Sequence, residues 1–346
     1  MDVKKVRELF PHIRKGITYF NHAATGAFST RVLDVVSEFF RERSEDNIDD
    51  YPDFVKVNEE TKEKIASMIN THSSRIAFAD NTTNGFNILA QGLSLKKGDE
   101  IILNDIEFPA NVYPFLNLQK KGVKVVFAKS HDGIVSAEDI IEKINPHTRV
   151  VSVSMVQFLT GYRIDLNLLG ETCRANNVFL SVDAIQGLGA LNLDVEKSNI
   201  DFVSCGSQKW LLGIQGLSFI YVSEKLQQEI QPAYVGWLGV ENAWEMLDYK
   251  LSLKDSAERF QPGTLNTVGI YALNASLNLF RDFGFSDVEK RVLSNAEYLI
   301  NKLMELDLKP VTANLNSQFL SGIVSLNIRM PTLLLKFLKI IRSKLQ

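Results

Sequence analysis

The chain has 346 residues, 45% hydrophobic and 23% charged, with a formal net charge of −3, which is typical of a globular protein with one large and one smaller domain. It contains no basic stripe and no run of about 18 apolar residues, so neither nucleic acid nor a membrane is an expected partner. Cys173 and Cys205 are too few for a disulfide framework, and the first residues lack a signal-peptide core, so we expect a reducing, cytoplasmic location.

Short β-branched and aromatic runs alternate with helical patterns as far as about residue 255. Strands are predicted at residues 75–79, 100–104, 123–128, 149–156, 178–183, 201–205 and 217–222. Helices are predicted at residues 30–43, 55–69, 83–93, 110–121, 136–144 and 166–176. The alternation predicts an α/β fold, in which helices sandwich a mostly parallel sheet. Because the connection from 205 to 217 is too short for a crossover helix, one strand should be antiparallel.

The pattern changes after residue 255, where a small α+β domain is expected. Its predicted elements are helices at 265–282 and 286–304, a strand at 322–328 and a last helix at 332–344. The domain division that follows is a large domain at 15–255 and a small one made of 1–14 and 256–346. The acidic stretch at 44–53 is predicted to be a solvated loop.

Polar or aromatic side chains follow four of the predicted strands, at the edge where open parallel sheets bind ligands. Thr82 and Thr83 suit either a plain helix cap or a phosphate at a helix N-terminus. Phe108 suits either core packing or stacking on a flat ring. Asp183 closes an apolar strand, where its carboxylate needs backbone amides or a protonated ring nitrogen as partner. Lys209 lies between a polar turn and an apolar run, which indicates an ammonium extended to water or an amine used in chemistry.

Taken together, these side chains match the needs of pyridoxal 5′-phosphate. The set contains a phosphate cradle, a ring stacker, an acid for the ring nitrogen and a primary amine. In this chemistry the cofactor aldehyde forms a Schiff base with lysine, while the carboxylate keeps the pyridine protonated so that the ring can accept electrons. Desolvation lowers the pKa of such a lysine and makes its amine nucleophilic.

Five segments resemble motifs of the class V aminotransferase family of fold-type I pyridoxal-phosphate enzymes, which includes cysteine desulfurases, selenocysteine lyases and isopenicillin N epimerase-like proteins. These segments are TYFNHAATGAFS (18–29), DNTTNGFNILAQGL (80–93), SVDAIQGLGALNLDV (181–195), SCGSQKWLLGIQGLSFIYV (204–222) and FQPGTLNTVGIYAL (260–273). The resemblance covers about three quarters of the chain. Its most specific part is the pair of motifs that places Asp183 and Lys209 26 residues apart.

The resemblance implies roles around the cofactor ring. Lys209 would form the Schiff base and then move the substrate α-proton, while Asp183 would pair with the pyridine nitrogen. Gln186 would approach the phenolic oxygen of the ring. Phe108 stands where desulfurases carry a ring-stacking histidine, and it can stack equally well but cannot act as an acid.

The resemblance also implies how the phosphate is held. Thr83, with Thr82 beside it, would bind the phosphate, and Gln208 occupies a position that contacts the same group. Thr264 should reach the phosphate of a neighbouring subunit, which implies a homodimer.

The function implied is that of a pyridoxal-phosphate-dependent enzyme acting on a small amino acid, as an aminotransferase or a lyase. Asn21 and His22 lie in the segment similar to the family's substrate loop. One alternative is cysteine desulfurase or selenocysteine lyase activity. Another is a shortened relative that binds the cofactor but turns over little.

Two departures from the desulfurase pattern bear on the chemistry. Phe158, with Gln157 beside it, stands where desulfurases have an asparagine, so a polar contact to the ring oxygen is moved or missing. Desulfurases carry a reactive cysteine on a loop of the small domain, whereas Cys173 and Cys205 fall on a predicted helix and at a strand end. Both are expected to be buried structural thiols, which argues against persulfide chemistry on the protein.

A third departure concerns the substrate carboxylate. Family members usually continue after the strand at 322–328 with an arginine-bearing motif that clamps this group, and we find no such motif. Arg163 follows a strand and is a weak substitute, and Arg342 is expected to be a solvated helix residue.

Other enzyme classes lack their motifs in this sequence. There is no G-x-G-x-x-G turn of a dinucleotide-binding fold, no P-loop, no H-E-x-x-H zinc motif and no G-x-S-x-G nucleophile elbow.

Overall fold

A seven-stranded sheet forms the centre of the computed structural model, which describes residues 2–327 of the chain. In chain order its strands are β1 (Ile76–Ala79), β2 (Glu100–Asn104), β3 (Lys124–Ala128), β4 (Thr148–Ser154), β5 (Phe179–Asp183), β6 (Phe202–Gly206) and β7 (Ser218–Val222). Each agrees with a strand predicted from the sequence to within two residues at either end. The predicted helix at 332–344, with Arg342, lies outside the described residues.

The strand order across the sheet is β1-β7-β6-β5-β4-β2-β3. Every pairing among β2 to β6 is parallel, and β7 is antiparallel to both of its neighbours, β6 and β1. The short connection between β6 and β7 causes this reversal, as the sequence predicted. The carboxyl ends of the six co-directional strands, and the start of β7, therefore lie at one edge.

Eleven α-helices lie within the described part of the chain. They are α1 (Val3–Glu8), α2 (Pro11–Arg14), α3 (Thr30–Glu45), α4 (Tyr51–Ile69), α5 (Thr82–Gly92), α6 (Tyr113–Leu116), α7 (Ala137–Ile141), α8 (Leu166–Ala175), α9 (Glu224–Glu229), α10 (Thr267–Phe283) and α11 (Phe285–Glu305). The side chains of Ser29, Asn81, Asp165 and Asn266 accept backbone N–H groups at the starts of α3, α5, α8 and α10. Such caps fix where these helices begin.

Helices cover both faces of the sheet, which explains why its central strands are almost entirely buried and mostly apolar. On one face the core includes Ile65 and Ile69 of α4 and Leu169 of α8, and on the other Phe86 and Leu89 of α5. All five side chains are fully buried. Strands buried on both faces are expected to be continuous apolar runs rather than alternating ones.

Three predicted elements differ from the structure. The helix expected at 110–121 is broken into short turns, because Pro109 and Pro114 each start a new turn. The loop expected at 44–53 is shorter, since α4 starts at Tyr51 and α3 runs to Glu45. The prediction of a strand at 322–328 was wrong for residues 322–327, the part that the structure describes. One isolated bridge joins Leu326 to Pro310, which has no N–H with which to continue a ladder.

The helices of the carboxyl-terminal segment pack on those of the amino-terminal one. Ile270 and Leu273 of α10 are fully buried in the same core as α4. The division of the chain at residue 255 stays a prediction. No helix in residues 2–327 is long and apolar enough to cross a membrane.

Candidate active site

Lys209 lies in a tight turn at the carboxyl end of β6. The turn is closed by two backbone hydrogen bonds, in which Ser207 donates to Leu217 and Gly213 donates to Ser207. The Lys209 side chain is half-buried, and its Nζ atom lies 5.5 Å from the centre of the Phe108 ring. Burial lowers the pKa of Lys209, although the charge of Asp183 opposes this shift. A larger share of neutral, nucleophilic amine follows.

Asp183 is the last residue of β5 and is 2% exposed. One carboxylate oxygen, Oδ1, accepts the N–H of Ile185 at 3.0 Å, while Oδ2 is buried without a partner. Burial, with a smaller contribution from the charge of Glu107, raises the pKa of Asp183 to about 7, although the Ile185 hydrogen bond and the charge of Lys209 oppose this shift. A cation that donates a hydrogen bond to Oδ2 would favour the ionised carboxylate.

A small polar space lies between the start of α5 and the lysine turn. Asn81 caps α5 by accepting the N–H of Asn84 at 2.9 Å, and the neighbouring Thr82 hydroxyl is buried without a partner. A Cβ atom on Gly206 would lie 2.6 Å from Gln208 Oε1 and 3.1 Å from Thr82 Oγ1. Only glycine keeps this space open, and a hydroxyl, a carboxamide and a helix N-terminus border it. These are groups that bind phosphate.

Phe108 follows β2 and is 42% exposed, which is unusual for a core phenylalanine. Its ring packs edge-to-face on Phe158, with the ring centres 5.2 Å apart. The structure thus brings Phe108 beside Lys209, and Phe158 supports it from the loop after β4. Phe108 can stack on a planar ring, and no imidazole stands at this position.

Glu107 is a buried acid that the sequence analysis did not single out. Its Oε1 atom accepts from Asn104 Nδ2 at 2.6 Å, Ser154 N at 2.8 Å and Gln157 Nε2 at 2.9 Å. Its Oε2 atom accepts from Asn111 Nδ2 at 3.1 Å and Ser154 Oγ at 2.5 Å. This network ties the loop that carries Phe108 to the end of β4. The only sequence signal was an acid next to an aromatic residue after a strand, which is too common to interpret.

Gln157 belongs to this network rather than to an open pocket. It is 2% exposed, and its Oε1 atom is buried without a partner. Its carboxamide nitrogen is held by Glu107.

The amino-terminal loop at residues 18–29 packs against the lysine turn. The N–H of Gly26 donates to the Gln208 carbonyl at 2.8 Å. The His22 ring stacks on Trp210 with ring centres 5.5 Å apart, and burial lowers its pKa. Asn21 is exposed, and its carbonyl accepts backbone N–H groups from within the loop. The structure therefore brings His22, but not the Asn21 side chain, to the lysine turn.

Gln186 is buried beside the same loop, and both ends of its carboxamide have protein partners. Its Nε2 donates to the Ala23 carbonyl at 3.0 Å, and its Oε1 accepts from Trp210 Nε1 at 3.0 Å. Trp210 is a second residue that the sequence analysis missed, because an aromatic residue after Lys209 looked like the start of an apolar run.

Thr264 lies apart from these groups within one chain. It is exposed and lines a cleft of about 430 Å³ together with Asp80, Asn84 and Tyr234. Lys209 and Asp183 do not line this cleft. Thr83 is half-buried next to Thr82 at the start of α5.

Buried polar atoms without partners collect at this edge of the sheet. Seven such side-chain atoms occur among the described residues, and four of them lie here: Thr82 Oγ1, Gln157 Oε1, Asp183 Oδ2 and Ser218 Oγ. Because buried polar groups are nearly always hydrogen-bonded, four such atoms at one edge indicate a polar ligand. The donor set fits pyridoxal phosphate: a phosphate cradle at α5, a ring stacker, an acid and an amine.

Comparison with protein families identifies the ligand class. The family model for class V aminotransferases matches residues 18–337. The chain belongs to the class V aminotransferase family. It is therefore a pyridoxal-phosphate-dependent enzyme, and pyridoxal 5′-phosphate is its cofactor.

Individual relatives of this class V enzyme include several named as probable cysteine desulfurases. One from Methanothermobacter thermautotrophicus is 28% identical over 333 residues, which cover 95% of this chain and 82% of the relative. Another from Mycoplasma pneumoniae is 30% identical over 279 residues, which cover 78% of this chain and 68% of the relative.

Solved structures share the fold of the class V enzyme. The apo structure of a cysteine desulfurase from Thermococcus onnurineus NA1 matches with a TM-score of 0.84 at 24% identity, covering 94% of this chain and 82% of that one. The cystine C–S lyase C-DES, in complex with its reaction product cysteine persulfide, matches with a TM-score of 0.82 at 24% identity, covering 90% of this chain and 84% of that one. The predicted architecture, a helix-covered and mostly parallel sheet of fold type I, is confirmed.

Proposed function

We propose that this enzyme acts on a small amino acid, and that Lys209 both binds the cofactor covalently and moves the substrate α-proton. The observation that carries the proposal is the pairing of a half-buried lysine of lowered pKa with a buried Asp183 whose Oδ2 atom has no partner. Catalytic groups are commonly tuned by burial in this way.

The other site residues would orient the cofactor. Thr82, Thr83 and Gln208 would hold its phosphate at the start of α5, and Phe108 would stack on its ring. Asp183 would keep the ring nitrogen protonated. When bound, the cofactor withdraws electrons from the substrate Cα, which is the chemistry that amino transfer and lyase reactions share.

Cysteine desulfurase activity is the second candidate, because the curated relatives carry that name. Both cysteines of the chain are buried, however, and burial raises the pKa of Cys173 to about 12 and raises that of Cys205. A buried thiol of raised pKa is a poor nucleophile. If the substrate contains sulfur, we propose lyase chemistry in which the sulfur leaves on a small-molecule product rather than on a protein cysteine.

The contacts of Arg163 do not favour the role considered from the sequence, which was to bind the substrate carboxylate. Its Nη1 atom forms an ion pair with Glu289 of α11 at 3.1 Å. It lines a separate cleft of about 460 Å³ that neither Lys209 nor Asp183 lines.

We also propose that the enzyme is a homodimer in which Thr264 reaches the phosphate site of the partner subunit. Thr264 is exposed, as this role requires. Residues 234–251, which precede Thr264 in the chain, are called the apolar segment here. They expose many large apolar side chains: Tyr234, Val235, Trp237, Trp244, Met246, Leu247, Tyr249 and Leu251. Exposed apolar surface of this kind is typical of a protein interface.

The proposed role of Lys209 predicts its covalent modification. After borohydride reduction of the cofactor-loaded protein, peptide mass spectrometry should find the cofactor on Lys209, and Lys209→Ala should be colourless and inactive. Lys225→Ala is a matched control, because Lys225 also places its Nζ over a phenylalanine ring, at 5.0 Å from the Phe179 centre. Equal colour in the wild type and in Lys209→Ala would refute the assignment.

Product analysis then separates the candidate reactions. The loaded enzyme would be incubated with alanine, serine, cysteine, cystine and selenocysteine, and keto acids, sulfide, persulfide and selenide would be measured. We expect turnover of at least one of these substrates, and the proposal predicts no persulfide on Cys173 or Cys205. A protein persulfide found by mass spectrometry would favour the desulfurase mechanism instead, and absence of turnover would favour a cofactor-binding protein.

A further inference from the structure

Trp210, the residue after Lys209, joins three segments that surround the proposed cofactor. Its indole N–H donates to Gln186 Oε1 at 3.0 Å. One face of the indole stacks on the His22 ring, with an interplanar angle of 23°. The edge of its six-membered ring abuts Gly322, where a Cβ atom would lie 3.0 Å from Trp210 Cζ3. Trp210 is thus held on two sides while its one polar group contacts Gln186.

These contacts fix the orientation of the Gln186 carboxamide. An indole N–H can only donate, so the group that faces Trp210 must be the amide oxygen. A backbone carbonyl can only accept, so the group that faces Ala23 must be the amide nitrogen, which lies 3.0 Å from it. Both assignments agree, and the alternative flip would lose both hydrogen bonds. The oxygen of Gln186 is therefore engaged, and one N–H of its amide remains to be given to another acceptor.

We propose that Trp210 is a positioning residue, which locks Gln186 so that it presents only an N–H to the cofactor. The inference rests on the proposed placement of Gln186 near the phenolic oxygen of the ring. It adds Trp210 as a residue that helps to determine which end of the Gln186 carboxamide faces that oxygen. An N–H can donate a hydrogen bond to an anionic phenolic oxygen. A flipped carboxamide would instead face that oxygen with its own oxygen, and the two would repel each other. Through Ala23 and His22, the same contacts hold the amino-terminal loop against the lysine turn.

The expected signature is the pH dependence of the bound cofactor's visible absorbance. The negative charge on the phenolic oxygen helps the neighbouring Schiff-base nitrogen to keep its proton. A hydrogen bond donated to that oxygen withdraws part of this charge. Trp210→Phe retains an aromatic ring for stacking but removes the donor, so the Ala23 carbonyl alone holds Gln186 and a flip loses one hydrogen bond instead of two. The midpoint of the absorbance titration should then rise by about half to one pH unit, the size expected for one neutral hydrogen bond.

A double-mutant cycle separates positioning from a merely structural role. If Trp210 acts through Gln186, then Trp210→Phe should raise the midpoint in the wild-type background but not in a Gln186→Ala background. Tyr298→Phe, which removes the hydroxyl donor of an exposed aromatic residue on α11, is the matched control and should leave the midpoint unchanged. An equal shift from Trp210→Phe in both backgrounds, or no shift in either, would overturn the proposal. If the wild type itself takes up no cofactor on Lys209, it is the proposed function that fails.

A second measurement needs no cofactor and no tryptophan substitution. In the apo-protein, the indole N–H resonance of Trp210 should be protected from solvent exchange. In Gln186→Ala it should move and exchange at least about tenfold faster, because its acceptor has been removed. An indole resonance that is the same in the wild type and in Gln186→Ala would show that the Trp210–Gln186 contact is absent, and the inference would fall with it.

Discussion

At the scale of single residues, Asp183 is the clearest case of a side chain whose state depends on its ligand. Its carboxyl is buried, it accepts one hydrogen bond from Ile185, and its pKa is raised to about 7 by burial. In the apo-protein, this group therefore keeps a proton at pH values where an exposed aspartic acid has lost it. A cationic ring nitrogen at Oδ2 would reverse that preference.

The raised pKa of Asp183 predicts that the folded apo-protein loses stability as pH rises and this carboxyl ionises. The unfolded chain loses this proton near pH 4 and the folded chain near pH 7, so the folded state binds more protons between these values and stability falls as pH rises through them. Asp183→Asn removes the effect. Its free energy of unfolding relative to the wild type should increase between pH 4 and pH 7 by up to about 4 kcal/mol, and then level off.

Urea unfolding of both apo-proteins at pH 5 and pH 8 measures this difference. A stability gap between Asp183→Asn and the wild type that is the same at both pH values would show that Asp183 titrates normally. The same variant should bind the cofactor more weakly than the wild type at pH 8, since its amide cannot carry the balancing charge.

At the scale of elements, the phosphate cradle depends on how closely α5 approaches the sheet. Gly85 faces β6 and β7, where a Cβ atom would overlap the Ser204 side chain and lie 2.9 Å from Ile220 Cγ2. The Ser204 hydroxyl also donates to the Thr82 carbonyl at 3.0 Å. The helix start that holds Thr82 is thus placed by contact with the strands rather than by the cap alone.

Gly85→Ala is expected to push α5 away from the sheet. Overpacking of this kind typically costs about 1–3 kcal/mol of stability. Because Thr82 and Thr83 move with the helix, affinity for inorganic phosphate and for the cofactor should fall as well. Thermal unfolding and phosphate titration of the apo-protein would measure both effects.

The partner variant Ser204→Ala makes this prediction specific. It removes the hydroxyl that a new Cβ would meet, so the double variant should lose less stability than the sum of the two single variants. Strict additivity would mean that the Gly85 contact does not place the helix.

At the scale of the whole molecule, no contact within the described part of a single chain accounts for the exposed side chains of the apolar segment at 234–251. Leu247 and Tyr249 are 85% and 88% exposed. Trp244 packs edge-to-face on Tyr51 of α4, with ring centres 5.1 Å apart, so the segment rests on the protein body. A second copy of the chain would bury these side chains and bring Thr264 to a partner's phosphate site.

The proposed homodimer predicts a strong effect of one surface charge. Leu247→Asp should leave the fold intact but weaken the dimer by tenfold or more, because a two-fold interface buries the charge twice. Cofactor affinity should fall with dissociation, since each site would lose Thr264 of the partner subunit. Leu306→Asp, at a leucine that is 70% exposed near the end of α11, is the matched control. Light scattering that finds a monomeric wild type at micromolar concentration would refute the dimer.

Local sequence patterns were enough to predict the seven strands of the sheet, the single antiparallel strand, and Lys209 and Asp183 as candidate site residues. Strand periodicity, the short connection after β6 and the two spaced motifs are local signals, so they can be read without knowing which segments meet. The edge of the sheet that would carry the site followed from strand direction alone. Where a proline intervened, as in the broken helix at 110–121, the local pattern was misleading.

The three-dimensional structure was needed to establish which side chains meet across distant segments. Glu107 gains its role from Ser154 and Gln157, about 50 positions away, and Trp210 gains its role from His22 and Gln186. It also decided that Arg163 is bound to Glu289. Burial, hydrogen-bond partners and pKa shifts depend on these long-range contacts, which no local pattern in the chain encodes.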